Sequence, residues 1–90
     1  ENPDYTSANT NLGFIYMQQG NSTMAYNYLK RANELDPDHE QTLVNLAVWY
    51  HNSNEPAKAK KCLEHLIKKH PDNEKAKAML MDLEKNSSHS

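Results

Sequence analysis

A period of 34 residues constrains this chain more than any other feature. Pro-Asp pairs stand at Pro3-Asp4, Pro37-Asp38 and Pro71-Asp72, so both intervals are 34 residues. The same shift superimposes Asn11 on Asn45, Leu12 on Leu46, Tyr16 on Tyr50, Ala25 on Ala59 and Leu29 on Leu63. A further shift carries Leu46 onto Leu80 and Glu40 onto Glu74. Self-similarity at a fixed period of this size marks an array of one supersecondary unit, each copy burying its apolar face against the next. The 90 residues allow one domain with a thin core, because a globule of this size buries only a little over about 60% of its unfolded surface.

Within each period the apolar spacing is helical. Leu12, Ile15 and Tyr16 share a face, as do Leu43, Leu46, Ala47 and Tyr50. Ala25, Leu29 and Ala32, then Leu63, Leu66 and Ile67, then Ala76, Met79, Leu80 and Leu83 continue the pattern. This is the 3.6-residue period of a helix and not the alternation of a strand. Only two glycines and four prolines are present, fewer than the turns of a sandwich or barrel require. Five helices are predicted, at about 5–18, 22–35, 39–52, 56–69 and 73–85. Asp4, Asp38 and Asp72 are the expected N-caps of the first, third and fifth, with Gln41 completing a capping box at Asp38. Gly20 and Asn54 suit the positive-φ position after a helix, and Pro56 suits a first turn.

These residues resemble the tetratricopeptide repeat, a helix–turn–helix unit of the same period. Residues 6–39 read as repeat one, with Leu12-Gly13, Tyr16, Gly20, Ala25, Leu29, Ala32 and Pro37 on the signature positions. Residues 40–73 read as repeat two, with Leu43, Leu46-Ala47, Tyr50, Asn54, Ala59, Leu63 and Pro71. Residues 74–85 resemble the capping helix of such arrays, and 86–90 form a polar tail expected to fray. Asn9 departs from the pattern, standing where a large aromatic is common, and Leu66 replaces the small residue present as Ala32. The resemblance implies an all-α fold, an α–α superhelix of about five antiparallel helices. Because Glu1–Asp4 resembles the end of a preceding repeat, the chain is expected to belong to a longer array with an uncovered N-terminal face.

The resemblance also implies a function: a non-catalytic scaffold that holds a peptide or a partner's helix on an inner surface lined by the first helix of each repeat. Carried over position by position, that surface comprises Ser7, Thr10, Asn11, Phe14 and Met17, then Gln41, Val44, Asn45, Val48 and His51, then Lys75, Ala78 and Asp82. The groove proper is assigned to Thr10, Asn11, Phe14, Met17, Gln41, Val44, Asn45, Val48, His51 and Lys75. Phe14 and Val48 admit a second reading, as filling for the seam between helices. The carboxylate clamp of some members is only half present, since Asn45 and Lys75 match it while Thr10, Phe14 and Met79 stand where Lys, Asn and Arg belong. The alternative function is self-association into a homo-oligomer through the uncapped N-terminal face.

Other chemistries find little support in the residues. No run approaches the 18 apolar residues of a membrane span. Residues 1–45 carry a net −4 and residues 46–90 a net +2, so neither half offers the basic patch that tracks a phosphate backbone. The lysines at 58, 60, 61, 68 and 69 read as the solvated face of the fourth helix. Cys62 and His65 stand three residues apart, but two ligands do not make a zinc site, and neither a metal nor a cofactor is expected. No glycine-rich phosphate loop, paired carboxylates or nucleophile–base pair is legible, so no enzyme is expected.

Overall fold

The computed structural model describes residues 4–87, in five helices: α1 (Asp4–Gln18), α2 (Ser22–Leu35), α3 (Glu40–Asn52), α4 (Pro56–Lys69) and α5 (Glu74–Ser87). No strand occurs among the described residues. α1 packs on α2 and α3 on α4 as two hairpins, α3 lies against α2 and touches α1, and α5 lies against α4. The result is an elongated slab of 41 × 29 × 16 Å. The end of the polar tail at 88–90 and the first three residues lie outside the described residues.

The same turn recurs at the 34-residue interval. After α1, Gly20 takes φ +81° and the Asn21 N–H bonds back to the Tyr16 carbonyl at 2.9 Å. After α3, Asn54 takes φ 64° and the Glu55 N–H bonds back to the Tyr50 carbonyl at 2.8 Å. Both close orphan carbonyls at a helix end with a left-handed residue, which glycine and asparagine tolerate best. Pro56 opens α4, where its missing N–H leaves nothing unpaired.

α2 and α4 start where expected, while α1, α3 and α5 start one residue away. The N-cap of α3 is His39, whose ring Nδ1 accepts from the Thr42 N–H, and not Asp38. Asp36 explains the shift. Its carboxylate accepts the Asp38 N–H and its carbonyl accepts the His39 N–H, each at 3.2 Å, so the Pro-Asp pair is spent in a turn before the helix. Gln41 consequently closes no capping box and donates to the Asn45 side-chain oxygen at 2.9 Å. The pattern repeats at α5: the His70 carbonyl accepts the Asn73 N–H, and Asn73, not Asp72, caps by accepting from the Ala76 N–H at 2.9 Å. The side chain of Asp4, expected to cap α1, lies outside those described. α5 runs two residues past its expected end at 85.

Each hairpin closes at a small residue. In the first, Ala25, Leu29 and Ala32 are buried, and Gly13 of α1 comes so close that a Cβ there would lie 2.6 Å from Leu29 Cγ and 3.2 Å from the Ala25 carbonyl. In the second, Ala47 takes the same register within a cluster of Leu43, Val44, Ala59, Leu63, Leu66, Ala76 and Leu83. The next position in this series, on α5, is Met81, which is 69% exposed. Glu84 likewise stands where α1 and α3 carry Tyr16 and Tyr50. α5 therefore joins the core through one face and turns the other to solvent.

The hairpins are joined by contacts that alternate polar and aromatic. The Thr42 hydroxyl meets the Thr10 hydroxyl at 2.6 Å, both side chains buried, while Thr10 donates onward to the Thr6 carbonyl at 2.8 Å. Trp49 donates its indole N–H to the Ser22 carbonyl at 2.9 Å and packs on the Tyr26 ring at 4.6 Å between centroids. At the far end Asp38 receives His65 Nε2 on its carboxylate at 2.8 Å and His70 Nε2 on its carbonyl at 2.9 Å.

Replacing Gly13 by Ala should destabilise the chain by up to about 2 kcal/mol. Overpacking against a fully buried Leu29 costs about 1–3 kcal/mol, which outweighs the ~1 kcal/mol of helix propensity gained. Urea unfolding followed by circular dichroism measures the difference, and a Gly13→Ala chain more stable than the parent would show that the crossing is looser than described.

Candidate functional site

α1, α3 and α5 present equivalent faces, because the 34-residue shift moves Asn11 to Asn45 to Met79 and Phe14 to Val48 to Asp82. The seam between α1 and α3 is closed by the Thr10–Thr42 pair. Between α3 and α5 the chain leaves a pocket of about 100 Å³ lined by Ala47, Val48 and His51 on one side and Met79, Asp82 and Leu83 on the other. That volume is below the roughly 150 Å³ dry cavity that takes benzene, so it suits a single aliphatic side chain. His51 and Asp82 supply its polar rim. A second, wider cleft of about 540 Å³ opens towards the α2–α3 and α4–α5 turns. Gln41, Val44 and Lys75 line it together with the acidic residues Asp36, Asp38 and Glu40.

The residues singled out from the sequence divide into three groups. Asn11, Phe14, Gln41, His51 and Lys75 are exposed, and Met17 and Val48 are half-buried. Thr10, Val44 and Asn45 are buried. The hydroxyl of Thr10 is taken up between Thr6 and Thr42, and the Asn45 side-chain oxygen accepts from Gln41. The pocket brings Val48 and His51 together, and the wider cleft gathers Gln41, Val44 and Lys75. Asn11, Phe14 and Met17 stand on α1 and line neither.

Two features escape a reading of the sequence. Met79 forms a pocket wall although the sequence marked it only as an apolar helix position and a missing arginine, and its register with Asn11 and Asn45 is the signal that places it on this face. Trp49 is the other, since one aromatic among apolar helix positions carries no sign that it will reach across to Ser22. His39, His65 and His70 also gain partners. His65 turns to Asp38 while Cys62 packs against the core cluster, so the two serve different contacts.

Burial sets the two notable acid–base shifts. It pushes the Cys62 thiol up from 9.0 to about 11. Burial, then the hydrogen bond shared with the Tyr26 hydroxyl at 3.3 Å, raises Tyr50 well above its ordinary value of 10.0. Neither group is activated: a raised thiol pKa withholds the thiolate that nucleophilic chemistry needs.

A comparison with protein families decides the classification. The family model for the tetratricopeptide repeat matches residues 17–83, well over half of the chain. The chain belongs to the tetratricopeptide repeat family. Such repeats generally mediate protein–protein interactions, and members are typically non-catalytic interaction modules. The comparison with curated proteins gives no match. No helix among the described residues is long and apolar enough to cross a membrane.

The raised pKa values fix the direction of the alkaline response. A proton held more tightly in the folded state than in the unfolded one gives stability that is complete below the unfolded pKa and lost as pH rises through the folded one. For Cys62 that window runs from pH 9.0 to about 11, and Tyr50 extends it upwards. Urea midpoints should therefore fall from pH 9 upwards, and less steeply in Cys62→Ser. Iodoacetamide at pH 8 should modify the folded chain more than about tenfold slower than the unfolded chain, in line with the depleted thiolate. Equal rates would place the thiol in solvent.

Proposed function

We propose that this chain binds an extended peptide or a partner's helix along the face formed by α1, α3 and α5, without catalysis. The observation that carries the reading is the pocket between α3 and α5, apolar in its walls and polar at its rim. Val48 and Met79 take an apolar side chain of the ligand there. His51 and Asp82 meet the polar groups beside it. Phe14 continues the apolar path onto α1, 45% exposed and so available to a ligand. Asn11 and Gln41, both exposed, offer amide donors and acceptors, which a ligand backbone requires at every residue. Thr10 and Asn45 act from behind, holding the seam, and Val44 contributes only its edge in the wider cleft. In the same reading α5 is the capping helix, with Met81 and Glu84 where a further helix would need small and aromatic residues.

A second reading rests on a different surface. Tyr5, Leu12 and Ile15 of α1 are 63%, 39% and 46% exposed, an apolar face that a second copy of the chain would cover. This is self-association, independent of the groove.

Peptides selected on the chain from a random displayed library provide the test of the first reading. Val48→Asp should weaken them by more than about tenfold, equivalent to ~1.4 kcal/mol, with helicity unchanged because Val48 is only half-buried. Raising the salt should change affinity little, because Lys75 and Asp82 oppose each other in charge and the contact is mainly apolar. Peptides that bind Val48→Asp as tightly as the parent would move the site elsewhere.

A further inference from the structure

Resting on the groove reading, we propose that the pocket between α3 and α5 selects a peptide with a branched aliphatic anchor beside a cationic residue, and that Met79 sets the size limit. Ala47 and Leu83, 1% and 7% exposed, belong to the core cluster, so the pocket floor cannot recede without opening the core. Val48 is β-branched and sits on a helix, which leaves it one strongly preferred χ1 rotamer. Met79 is the remaining apolar wall, where the preceding period carries Asn45. Its side chain packs against the core cluster, and an outward swing would give up that contact. The cavity therefore stays near 100 Å³, short of the roughly 150 Å³ that takes a benzene ring. Val, Ile or Leu fits this space, whereas an aromatic ring overpacks it. In apolar pockets even one methylene of mismatch changes recognition about 10–200-fold.

Charge selects the neighbour of that anchor. Asp82 is exposed at the rim, and among the described residues it forms no ion pair or hydrogen bond, His51 across the pocket included. The opposite rim belongs to the last turn of α3, where the helix carbonyls place the negative pole of the dipole. Both attract a cation and repel a carboxylate. Lys75 does not neutralise them. It stands seven residues before Asp82, about 10.5 Å along the helix at 1.5 Å per residue, and lines the other cleft. Lys85 lies with Asp82 on the outer side of α5 and is already engaged. An exposed ion pair changes affinity only a few-fold. The aliphatic anchor thus carries the binding and the cation sets its surroundings, which keeps the contact mainly apolar and weakly dependent on salt.

The test uses peptides selected on the whole chain from a random displayed library, then resynthesised with Leu or Phe at the anchor and Lys, Gln or Glu beside it. Selected peptides that lose binding to Val48→Asp should share a Val, Ile or Leu next to Lys or Arg. Exchanging that anchor for Phe should weaken binding by more than about tenfold, a comparison that needs no variant of the chain. Met79→Ala, checked for helicity by circular dichroism, should cut the Leu-over-Phe preference by about tenfold or more, while Met79→Leu should preserve it. Asp82→Asn should weaken the Lys peptide a few-fold and leave the Gln peptide unchanged. Aromatic anchors that bind the parent as well as Leu and still depend on Val48 would overturn the size limit and keep the groove. A Glu peptide that binds as well as the Lys peptide would overturn the cationic neighbour. Failure to select any peptide, or peptides indifferent to Val48→Asp, would overturn the groove reading itself.

Discussion

The close crossing of the two helices within each hairpin is the constraint on which everything else rests. With Gly13 against Leu29, and Ala47 in the same register of the second hairpin, the helices approach at a distance that larger residues forbid. A hairpin closed this tightly fills its own interior but leaves the flank of its first helix apolar. Burial at roughly 25 cal/mol per Å² then drives that flank onto the preceding hairpin. Thr42, Leu46 and Trp49 show the outcome on α3, while Leu12 and Ile15 show the same flank exposed among the described residues. Repeating the crossing every 34 residues fixes the direction of stacking, and hence lines up α1, α3 and α5 on one side.

Function follows from where the stacking is tight and where it is not. The hairpins meet closely along α1 and α3, where buried hydroxyls pair, so this seam is structural. α5 follows different rules, with Leu66 of α4 in place of the small Ala32 and Met81 in place of Gly13 and Ala47. The bulk of Leu66 fills the space beneath α5, and a pocket between α3 and α5 remains. The proposed recognition surface lies where the repeat loses its regularity.

The fold was legible because its determinants are periodic. Apolar spacing gave five helices within one or two residues of their observed bounds, and Gly20 and Asn54 announced their turns through a backbone geometry few residues adopt. Caps were less legible. Asp, Asn and His can all accept from a backbone N–H, and only the Asx-type turn at Asp36 decides that His39 and not Asp38 does so. The candidate site was legible as a face but not as a set of available atoms. Thr10 and Asn45 stand at the right register, yet the Thr10–Thr42 pair and the Gln41–Asn45 bond depend on the distance between helices, which spacing along one helix does not encode. Trp49 escaped for the same reason.

The most direct measurement of the groove's role is residue-by-residue: amide and methyl NMR shifts of the chain titrated with a peptide it selects. A chain that binds through its inner face will show its largest changes at Val48, His51, Met79 and Asp82, extending to Phe14 and Asn11, with α4 unaffected. Changes confined to the lysines of α4, or to Leu12 and Ile15 alone, would contradict a ligand site on the face of α1, α3 and α5.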